Sequence, residues 1–417
     1  MTTRTLSFAE ARARVLNAAV PLDPEQVQVT DARGRALRED AIATHALPPF
    51  DNSAMDGYAV RAGDLAIASR TAPVELSVTS VIPAGVSPTR PVAAGEAARI
   101  MTGAPLPAGA DAVVAFEDCE RVDGSLERAR FMAPPIAGSH IRRAGADLAA
   151  GARALEAGRE LSAHDLALLA ALGYGRIAVG PLPLAAIVST GDELLDAGAP
   201  LRPGAIRDSN APMLRSLLEE AGCRVVSMVR ATDAPGEALG AIRSALRQAH
   251  VTLSIGGVSA GDFDPVKAGL GELPGAELWR VAMRPGRPQA FGAWDGRLFF
   301  GLPGNPASVA CVFEALVRPA LRRLQGFATL SRPRIRVRAG ARIESRHGRT
   351  DFVRARLAWS DGAWWADPCG AQVSGHLTPQ AWAHALLVIP EEVAALQRGD
   401  PAAAILLRWP EPQSTAR

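Results

Sequence analysis

Hydrophobic and polar positions follow different periods in different parts of the chain. Residues 7–19 repeat apolar side chains at helical spacing, and Ser7 stands where an N-cap belongs, so this segment is predicted to be an amphipathic helix. From about 48 to 145 the helical period disappears, and Pro and Gly recur among short β-like runs such as 74–81. That pattern predicts an all-β insertion. Helical spacing returns at 162–172.

Residues beyond about 180 alternate between short apolar runs and helical segments, which is the pattern of a doubly wound sheet. Strands are predicted at 183–190, 224–230, 251–255, near 277–282, and 297–300. Helices are predicted at 211–221, 235–249 and about 306–325. We expect Ser209 or Asn210 to cap the first of these helices and Gly222 to end it.

The region after Ser331 has the pattern of a small β-domain. Residues 334–338 alternate with period two, and 385–389 and 403–407 are short apolar runs. The arginines between 318 and 356 form a basic stretch. A solvated face is the preferred interpretation of that stretch, and a ligand or partner surface is the alternative.

These patterns predict a multidomain α/β protein, and its 417 residues are enough for several domains. A central doubly wound, mostly parallel sheet domain is combined with an N-terminal extended helical/β region, an all-β insertion and a small C-terminal β-barrel-like domain. The expected bounds are 1–47 with 146–178 for the N-terminal domain, 48–145 for the insertion, 179–328 for the α/β domain and 332–410 for the barrel.

Composition excludes some classes of function. The formal net charge of +2 argues against a dedicated nucleic-acid-binding protein. The four cysteines include no CxxC pair, which fits a reducing cytoplasm and gives neither a zinc site nor a disulfide framework. No window approaches the ~20 apolar residues of a membrane span, and the N-terminus has no secretory pattern. We expect a cytoplasmic protein that binds neither nucleic acid nor membrane.

Two glycine-rich segments carry the candidate chemistry, and each follows an apolar run. They are Gly256–Asp264 and Gly301–Ser308, and the second opens a long helical pattern. A strand that ends in glycine and turns into a helix exposes backbone N–H groups that bind phosphate or another oxyanion. The first segment also contains Asp262 and Asp264. Bare carboxylates would repel a phosphate, so their presence predicts a divalent cation between them.

Other acids fall where predicted parallel strands end, which is where ligands bind in open sheets. Asp192 and Glu193 follow a glycine turn after strand 183–190, and a helix N-cap is the alternative interpretation. Asp233 follows strand 224–230. Their joint placement with the glycine-rich segments predicts one acidic cleft that binds metal and phosphate.

Basic residues near these loops fit an anionic ligand. Arg284 and Arg287 flank a Pro-Gly turn and can hold an oxyanion in a bidentate manner, with solvated surface arginines as the alternative. Lys267 is the only lysine, and it follows the two acids of the first glycine-rich segment. That position suits a phosphate contact, and chance placement is the alternative.

The insertion contains further candidates. Asp51 and Asp56 lie among turn-forming residues and have an Asx-turn role as their alternative interpretation. Thr102 lies in a Gly/Pro loop, and Asp147 follows two arginines and a glycine turn. No Ser-His-Asp or Cys-His dyad stands out, and the histidines lack metal-ligand spacing. The sequence therefore favours Lewis-acid chemistry on a phosphorylated substrate over nucleophilic catalysis or zinc hydrolysis.

Six motifs together resemble the molybdopterin molybdenumtransferases, the MoeA-type family that includes the C-terminal part of gephyrin. They occur in the family's order, and the resemblance as a whole covers residues from about 10 to 408. The motifs are Phe50–Val60, Ile100–Pro105, Ile141–Asp147, Ser189–Leu194, Gly256–Asp262 and Gly301–Pro306.

The resemblance implies a four-domain subunit whose α/β domain is MoaB/MogA-like and binds molybdopterin. It implies insertion of molybdate into adenylylated molybdopterin with release of AMP and with Mg²⁺, the last step of molybdenum cofactor biosynthesis. It also implies a homodimer, with the site between the α/β domain of one subunit and the insertion side of its partner. Other molybdenum cofactor biosynthesis proteins and acceptor enzymes are the further partners it suggests.

The resemblance also assigns roles to particular residues. The implied catalytic residues are Asp56, Thr102, Asp147, Glu193, Asp233 and Asp264. The resemblance matches Pro303 and Pro306 to the family's active site as well, and with Arg284 and Arg287 of the Pro-Gly turn they are the expected oxyanion residues. From the strand ends and glycine-rich segments, the expected cofactor-binding residues are Thr190, Gly191, Gly256, Gly257, Ser259, Gly261, Lys267, Gly304, Asn305 and Ser308. The expected metal ligands are the acids Asp192, Glu193, Asp262 and Asp264.

The chain departs from the family pattern at two points. Ile255 replaces a small hydroxyl residue, and Arg284 and Arg287 stand where the family often has lysines. Three alternatives stay open: a divergent paralogue that acts on tungstate, a non-catalytic molybdopterin-binding scaffold, and a magnesium-dependent nucleotidyltransferase or phosphohydrolase. The acids that a scaffold would be free to lose are all present, which favours the enzyme.

Overall fold

The structure is a computed structural model that describes residues 4–124, 127–234, 236–257, 270–273 and 275–411. The chain forms two compact units. The sheet unit comprises Met1–Glu39, Ala157–Ser162 and Arg176–Arg417. The insertion unit comprises Asp40–Glu156 and Ala163–Gly175. Within the described residues, no helix is long and apolar enough to cross a membrane.

The helices and strands are numbered in chain order. The α-helices are α1 Phe8–Ala18, α2 Ala163–Ala171, α3 Asn210–Glu220, α4 Glu237–Gln248, α5 Pro306–Val312, α6 Arg318–Gln325 and α7 Thr378–Trp382; a π-helical turn, Phe313–Val317, joins α5 to α6. Short 3₁₀ turns occur at Val29–Asp31, Ala62–Leu65, Phe116–Asp118, Val122–Gly124 and Leu270–Glu272.

The first thirteen strands belong to the N-terminal part and the insertion. They are β1 Arg4–Ser7, β2 Glu25–Gln28, β3 Ala41–Ile42, β4 Asn52–Ser53, β5 Gly57–Val60, β6 Val74–Ile82, β7 Glu96–Ile100, β8 Ala112–Ala115, β9 Cys119–Arg121, β10 Arg128–Phe131, β11 Ile141–Arg142, β12 Arg153–Leu155 and β13 Arg176–Val179.

The later strands form the central sheet and the C-terminal domain. They are β14 Leu184–Thr190, β15 Leu194–Leu195, β16 Ile206–Arg207, β17 Arg224–Ala231, β18 Val251–Ile255, β19 Glu277–Arg284, β20 Pro288–Trp294, β21 Arg297–Leu302, β22 Arg334–Ala339, β23 Ile343–Glu344, β24 Thr350–Ser360, β25 Ala363–Pro368, β26 Ala385–Ile389, β27 Ala395–Leu396 and β28 Pro401–Leu406.

The predicted doubly wound sheet is present in the sheet unit. Strands β17, β14, β18 and β21 are neighbours in that order and run parallel. Ala185 and Ile187 of β14 pack in the same hydrophobic cluster as residues of α3, and Ala186 and Val188 pack with residues of α4. Both faces of β14 are therefore covered, which explains its continuous apolar sequence. The antiparallel strands β20 and β19 extend the sheet beyond β21, and the sequence pattern did not predict β20.

Local capping agrees with the sequence at one helix and differs at another. Ser7 caps α1 as predicted: its Oγ accepts from Glu10 N at 3.1 Å, and Glu10 Oε2 accepts from Ser7 N at 2.8 Å. The predicted side-chain cap of α3 by Ser209 or Asn210 is wrong. Asp208 Oδ1 instead accepts from the N–H groups of Asn210 and Ala211, each at 3.0 Å, and so satisfies two free donors at the start of the helix.

The C-terminal strands close into a small barrel. Neighbouring strands follow the order β24, β25, β22, β28 and β26, and β26 pairs back with β24. Closure leaves no free edge among these strands. The barrel is joined to the central sheet by β19 and β24, which run parallel and pair Arg284 with Asp351.

The insertion unit is mostly β, as predicted. Its main sheet has the order β8, β5, β7, β6, β10 and β9. Tyr58 of β5 is 1% exposed and makes edge-to-face contacts with Phe116 and Phe131, at centroid distances of 5.3 and 5.8 Å. These aromatic contacts fix the strand that immediately follows the Asp56 turn.

Candidate functional site

Three parallel strands end at neighbouring positions and are linked by hydrogen bonds. Thr190 Oγ1, at the end of β14, donates to the carbonyl of Ile255 at 3.1 Å. The N–H of Gly256 donates to the carbonyl of Leu302, the last residue of β21, at 3.0 Å. The strand ends that carry the predicted cofactor-binding loops are therefore joined directly.

Glycine is required at two of these turns. Gly256 has φ +86°, and a Cβ there would lie 2.9 Å from Thr190 Oγ1. Gly191 has φ +143°, and a Cβ there would clash with the carboxylate of Glu193, which folds back over the turn. Any larger residue would displace Thr190 or Glu193, so the glycines fix the positions of two candidate site side chains.

Asp192 and Asp233 lie side by side on adjacent loops. The N–H of Asp192 donates to Asp233 Oδ2 at 3.3 Å, and the N–H of Asp233 donates to Asp192 Oδ1 at 3.2 Å. No helix follows Asp192 and Glu193, since the short strand β15 begins at Leu194, so the helix N-cap interpretation is wrong. The two exposed carboxylates supply the oxygen ligands that Mg²⁺ prefers.

Several predicted residues lie outside the part of the chain that the structure describes. They are Ser259, Gly261, Asp262, Asp264 and Lys267. Among the described residues, no group of three or more His, Cys, Asp or Glu side chains forms a metal-binding cluster. Of the predicted acidic site, the structure therefore describes Asp192, Glu193 and Asp233.

Ile255 departs from the family pattern, but its side chain does not face the site. It is 3% exposed and packs in the main hydrophobic cluster of the sheet unit. Its contribution to the strand ends is the backbone carbonyl that accepts from Thr190, which any residue would provide.

The second glycine-rich segment turns from β21 into α5. Asn210 Nδ2 donates to the carbonyl of Gly304 at 2.7 Å, which ties the turn to α3. Pro306 is the first residue of α5 and has no N–H. The N–H of Ala307 donates to the carbonyl of Ser374 at 3.1 Å. The start of α5 therefore offers fewer free donors than the sequence suggested, and one of them holds a loop of the C-terminal domain.

A cleft of about 800 Å³ lies beside this turn and is strongly basic. Among the residues that the structure describes, no acidic side chain lines it, so the field of the described lining favours anions. Residues predicted for the oxyanion or the cofactor make up part of its lining: Arg284, Arg287, Pro303, Gly304, Asn305 and Ser308. The sequence analysis missed other polar lining residues: Arg280, Arg346, His347, Arg349, Gln372 and Ser374.

The interpretation of the basic stretch 318–356 as a solvated face is wrong for part of it. Arg346 and Arg349 line the cleft, whereas Arg318 and Arg332 pair with Glu314. Arginines at 346 and 349 have the same local pattern as surface arginines, and only the closure of the barrel brings them to residues around 284.

A buried arginine shapes the far wall of the cleft. Arg354 is 3% exposed and donates to the carbonyls of Val373 and His376, each at 3.1 Å, and to Gln372 Oε1 at 3.3 Å. These bonds hold the loop that carries Ser374 toward the start of α5.

In the insertion unit, Asp56 and Thr102 are in direct contact. Asp56 Oδ1 accepts from the N–H of Thr102 at 2.7 Å and from its Oγ1 at 2.8 Å. Asp51 accepts from the N–H of Ala144 at 2.8 Å and from Arg143 Nη1 at 2.6 Å. All these donors are distant in sequence, so the Asx-turn interpretation of both aspartates is wrong. Asp147 lies on another loop, where its N–H donates to the carbonyl of Leu47 at 3.0 Å.

The Asp56–Thr102 contact predicts an acid-sensitive loop. Hydrogen bonds from the backbone and then the hydroxyl of Thr102 hold the pKa of Asp56 below its ordinary value of 3.8. The contact is therefore intact above that value and is lost as the pH falls through the lowered pKa. In Thr102→Val we expect the Asp56 pKa to rise only partway, because the backbone donor remains. Carbon-13 NMR titration of the carboxyl measures it, and an unchanged pKa would contradict the role of the hydroxyl.

The fold and the cleft define a class: a multidomain α/β protein whose doubly wound sheet and closed C-terminal barrel share an arginine-lined cleft. Family models match most of the chain. They are the MoeA N-terminal region, domains I and II, at residues 6–173; a probable molybdopterin binding domain at 186–323; and the MoeA C-terminal region, domain IV, at 336–407.

Similar proteins agree with these models. The chain is 40% identical to molybdopterin molybdenumtransferase 2 of Mycobacterium tuberculosis, over 90% of this chain and 93% of that protein. It is 35% identical to the molybdopterin molybdenumtransferase of Bacillus subtilis, over 96% and 95%. The solved MoeA protein of Pyrococcus horikoshii OT3 superposes with a TM-score of 0.81 at 28% identity, over 97% of this chain and all of that one. The chain belongs to the molybdopterin molybdenumtransferase family.

Proposed function

We propose that this protein inserts molybdate into adenylylated molybdopterin and releases AMP, the last step of molybdenum cofactor biosynthesis. The observation that carries the proposal is the arginine-lined cleft beside the Gly301–Ser308 turn, in a chain of this family. A tetrahedral oxyanion matches the donors of Arg284, Arg287 and Ser374, since arginine forms charge-assisted, often bidentate, hydrogen bonds to such anions.

The chain's own residues would divide the work as follows. The glycine turns after β14 and β18 bind the phosphates of the nucleotide-linked pterin, and the arginines hold the oxyanion. An oxyanion oxygen attacks the pterin-side phosphorus, the bond from that phosphorus to the bridging oxygen breaks, and AMP leaves with the electron pair. The arginines neutralise the charge that develops on the oxyanion and phosphate oxygens.

Magnesium is part of the proposal. Asp192, Glu193, Asp262 and Asp264 are the predicted ligands that would hold it, and Asp233, whose carboxylate accepts from the N–H of Asp192, lies beside the first of them. When bound, it would neutralise phosphate charge as a Lewis acid. The exposed carboxylates of Asp192 and Asp233 support this, because they lie on hydrogen-bonded neighbouring loops and supply oxygen ligands of the kind that Mg²⁺ prefers.

The experiment is single-turnover AMP release from adenylylated molybdopterin with magnesium and either molybdate, tungstate or no oxyanion. We expect release that depends on molybdate, with molybdenum retained on the pterin. Release with tungstate alone would indicate a tungstate-specific paralogue. Tight ligand binding without release under any condition would support the scaffold instead.

The proposal extends to a cytoplasmic homodimer with the four-domain division given by the sequence. In that dimer, the insertion unit of one subunit supplies Asp56, Thr102 and Asp147 to the site of its partner. The four free cysteines, three of them buried, support a reducing compartment.

Mixing two inactive variants tests the shared site. We expect Asp56→Asn and Glu193→Gln each to be inactive alone. After joint refolding, random exchange should restore roughly a quarter of wild-type AMP release, because half of the dimers then hold one intact site of two. A mixture that stays inactive, while co-purification through two different affinity tags shows mixed dimers, would contradict a site built from two subunits.

A further inference from the structure

Asp351 is a buried carboxylate directly behind the arginine cleft, and the proposed chemistry assigns it no role. It is the second residue of β24 and is 2% exposed. The parallel pairing of β19 with β24 places it opposite Arg284. A buried carboxylate is costly unless charged partners compensate it, so its contacts indicate why it is there.

Those contacts are to two arginines that line the cleft. Arg349 Nη2 donates to Asp351 Oδ2 at 3.1 Å, and Arg349 Nε lies 2.8 Å from Oδ1 as an ion pair without hydrogen-bond geometry. Arg284 Nη1 lies 3.9 Å from Oδ2. One carboxylate thus joins an arginine of the central sheet to an arginine of the barrel.

The arginines benefit from such an anchor because they are partly exposed and carry like charge. The side chains of Arg284 and Arg349 are 50% and 26% exposed, so packing alone does not fix them. A long side chain that is not held loses conformational entropy when it binds, and two nearby guanidinium groups oppose each other's approach. A carboxylate on their buried side reduces both costs and leaves their outer N–H groups free for an anion.

We propose that Asp351 is a positioning residue that holds Arg284 and Arg349 in the geometry that selects a tetrahedral oxyanion. The inference rests on the proposed function only in taking molybdate as the anion. Asp351 does not touch the oxyanion, and it acts through the two arginines.

The direction in which anion affinity changes when Asp351 is replaced distinguishes a positioning role from a purely electrostatic one. If Asp351 acted only through its negative charge, removing that charge would make the cleft more positive and every anion would bind more tightly. If it positions the arginines, removal weakens molybdate binding despite the added positive charge. The binding constant of Asp351→Asn therefore moves in opposite directions under the two accounts.

The test is isothermal titration calorimetry of the full chain with molybdate, tungstate and sulfate. Asp351→Asn is expected to weaken molybdate binding about tenfold and to lower the preference for molybdate over sulfate. Asp351→Glu keeps the charge but displaces it, and should fall between Asp351→Asn and wild type. Asp361→Asn makes the same chemical change at the exposed turn between β24 and β25 and should bind as wild type does.

Equal or tighter molybdate binding by Asp351→Asn would overturn the proposal. Should that variant fail to fold by circular dichroism, Asp351→Glu decides: unchanged binding overturns the proposal, and weaker binding with unchanged thermal unfolding supports it. AMP release is measured in parallel on wild type. Wild-type binding without AMP release would defeat the proposed function, while the binding series would still judge the role of Asp351.

Discussion

Replacing Glu193 by glutamine should lower molybdate-dependent AMP release by at least about 100-fold, in keeping with the loss of a group that supports metal-assisted phosphoryl chemistry. Glu193 folds over the Gly191 turn at the end of β14. It directly follows Asp192, whose N–H donates to the carboxylate of Asp233. Glutamine keeps the shape of the side chain and removes the charge that would balance a divalent cation. Rapid-quench measurement of AMP at saturating substrate gives the rate.

A matched control uses another exposed glutamate of the same sheet unit. Glu219→Gln alters a surface pair with Arg215 on α3, and should leave AMP release unchanged. If Glu193→Gln releases AMP at the wild-type rate, Glu193 has no part in the chemistry. If excess magnesium restores much of the lost rate, the residue acts mainly through metal affinity.

Replacing Glu314 by alanine should lower the free energy of unfolding by about 3 kcal/mol, the cost of breaking a buried ion pair. Glu314 lies in the π-helical turn between α5 and α6, and its side chain is 4% exposed. Its Oε2 accepts from Arg318 Nε at 2.8 Å and from Arg332 Nε at 3.0 Å. Arg318 is also buried, so the substitution leaves a desolvated guanidinium whose remaining acidic neighbour, Glu220, is 3.7 Å away.

Urea unfolding followed by tryptophan fluorescence measures this loss. Glu344→Ala is the matched control, because its pair with Arg342 at 2.7 Å is about two-thirds exposed and should cost less than about 1 kcal/mol. Equal losses for the two variants would show that burial adds nothing to the Glu314 pairs.

Local patterns predicted the elements that obey one clear period. The strand 251–255 was placed at its observed bounds because Val251, Leu253 and Ile255 alternate with Thr and Ser at the period of a strand. The helix at 7–19 was recognised from its apolar face and its Ser7 cap. The elements that the sequence missed lack such a period: β20 lies in an antiparallel hairpin, and its bounds depend on pairing with β19 and β21.

The candidate site was predictable where its residues follow strands. Thr190, Gly191, Asp233 and Gly256 lie at the strand ends where the sequence placed them, because parallel strands deliver their carboxyl ends to one edge of the sheet. Arg346, Arg349 and Ser374 were missed, since nothing in their own segments distinguishes them from surface residues. The barrel must close, and β24 must pair with β19, before these residues reach Arg284.

The sequence by itself determined the alternation of strands and helices, the glycine turns and the set of acids, because each depends on residues close together along the chain. Motif order was enough to indicate the family. Only the tertiary structure decided which arginines are solvated, which pair with Glu314 and which line the cleft, because chemically identical side chains differ there only in their distant neighbours. The same holds for Asp351, whose role follows from a strand pairing that no local pattern encodes.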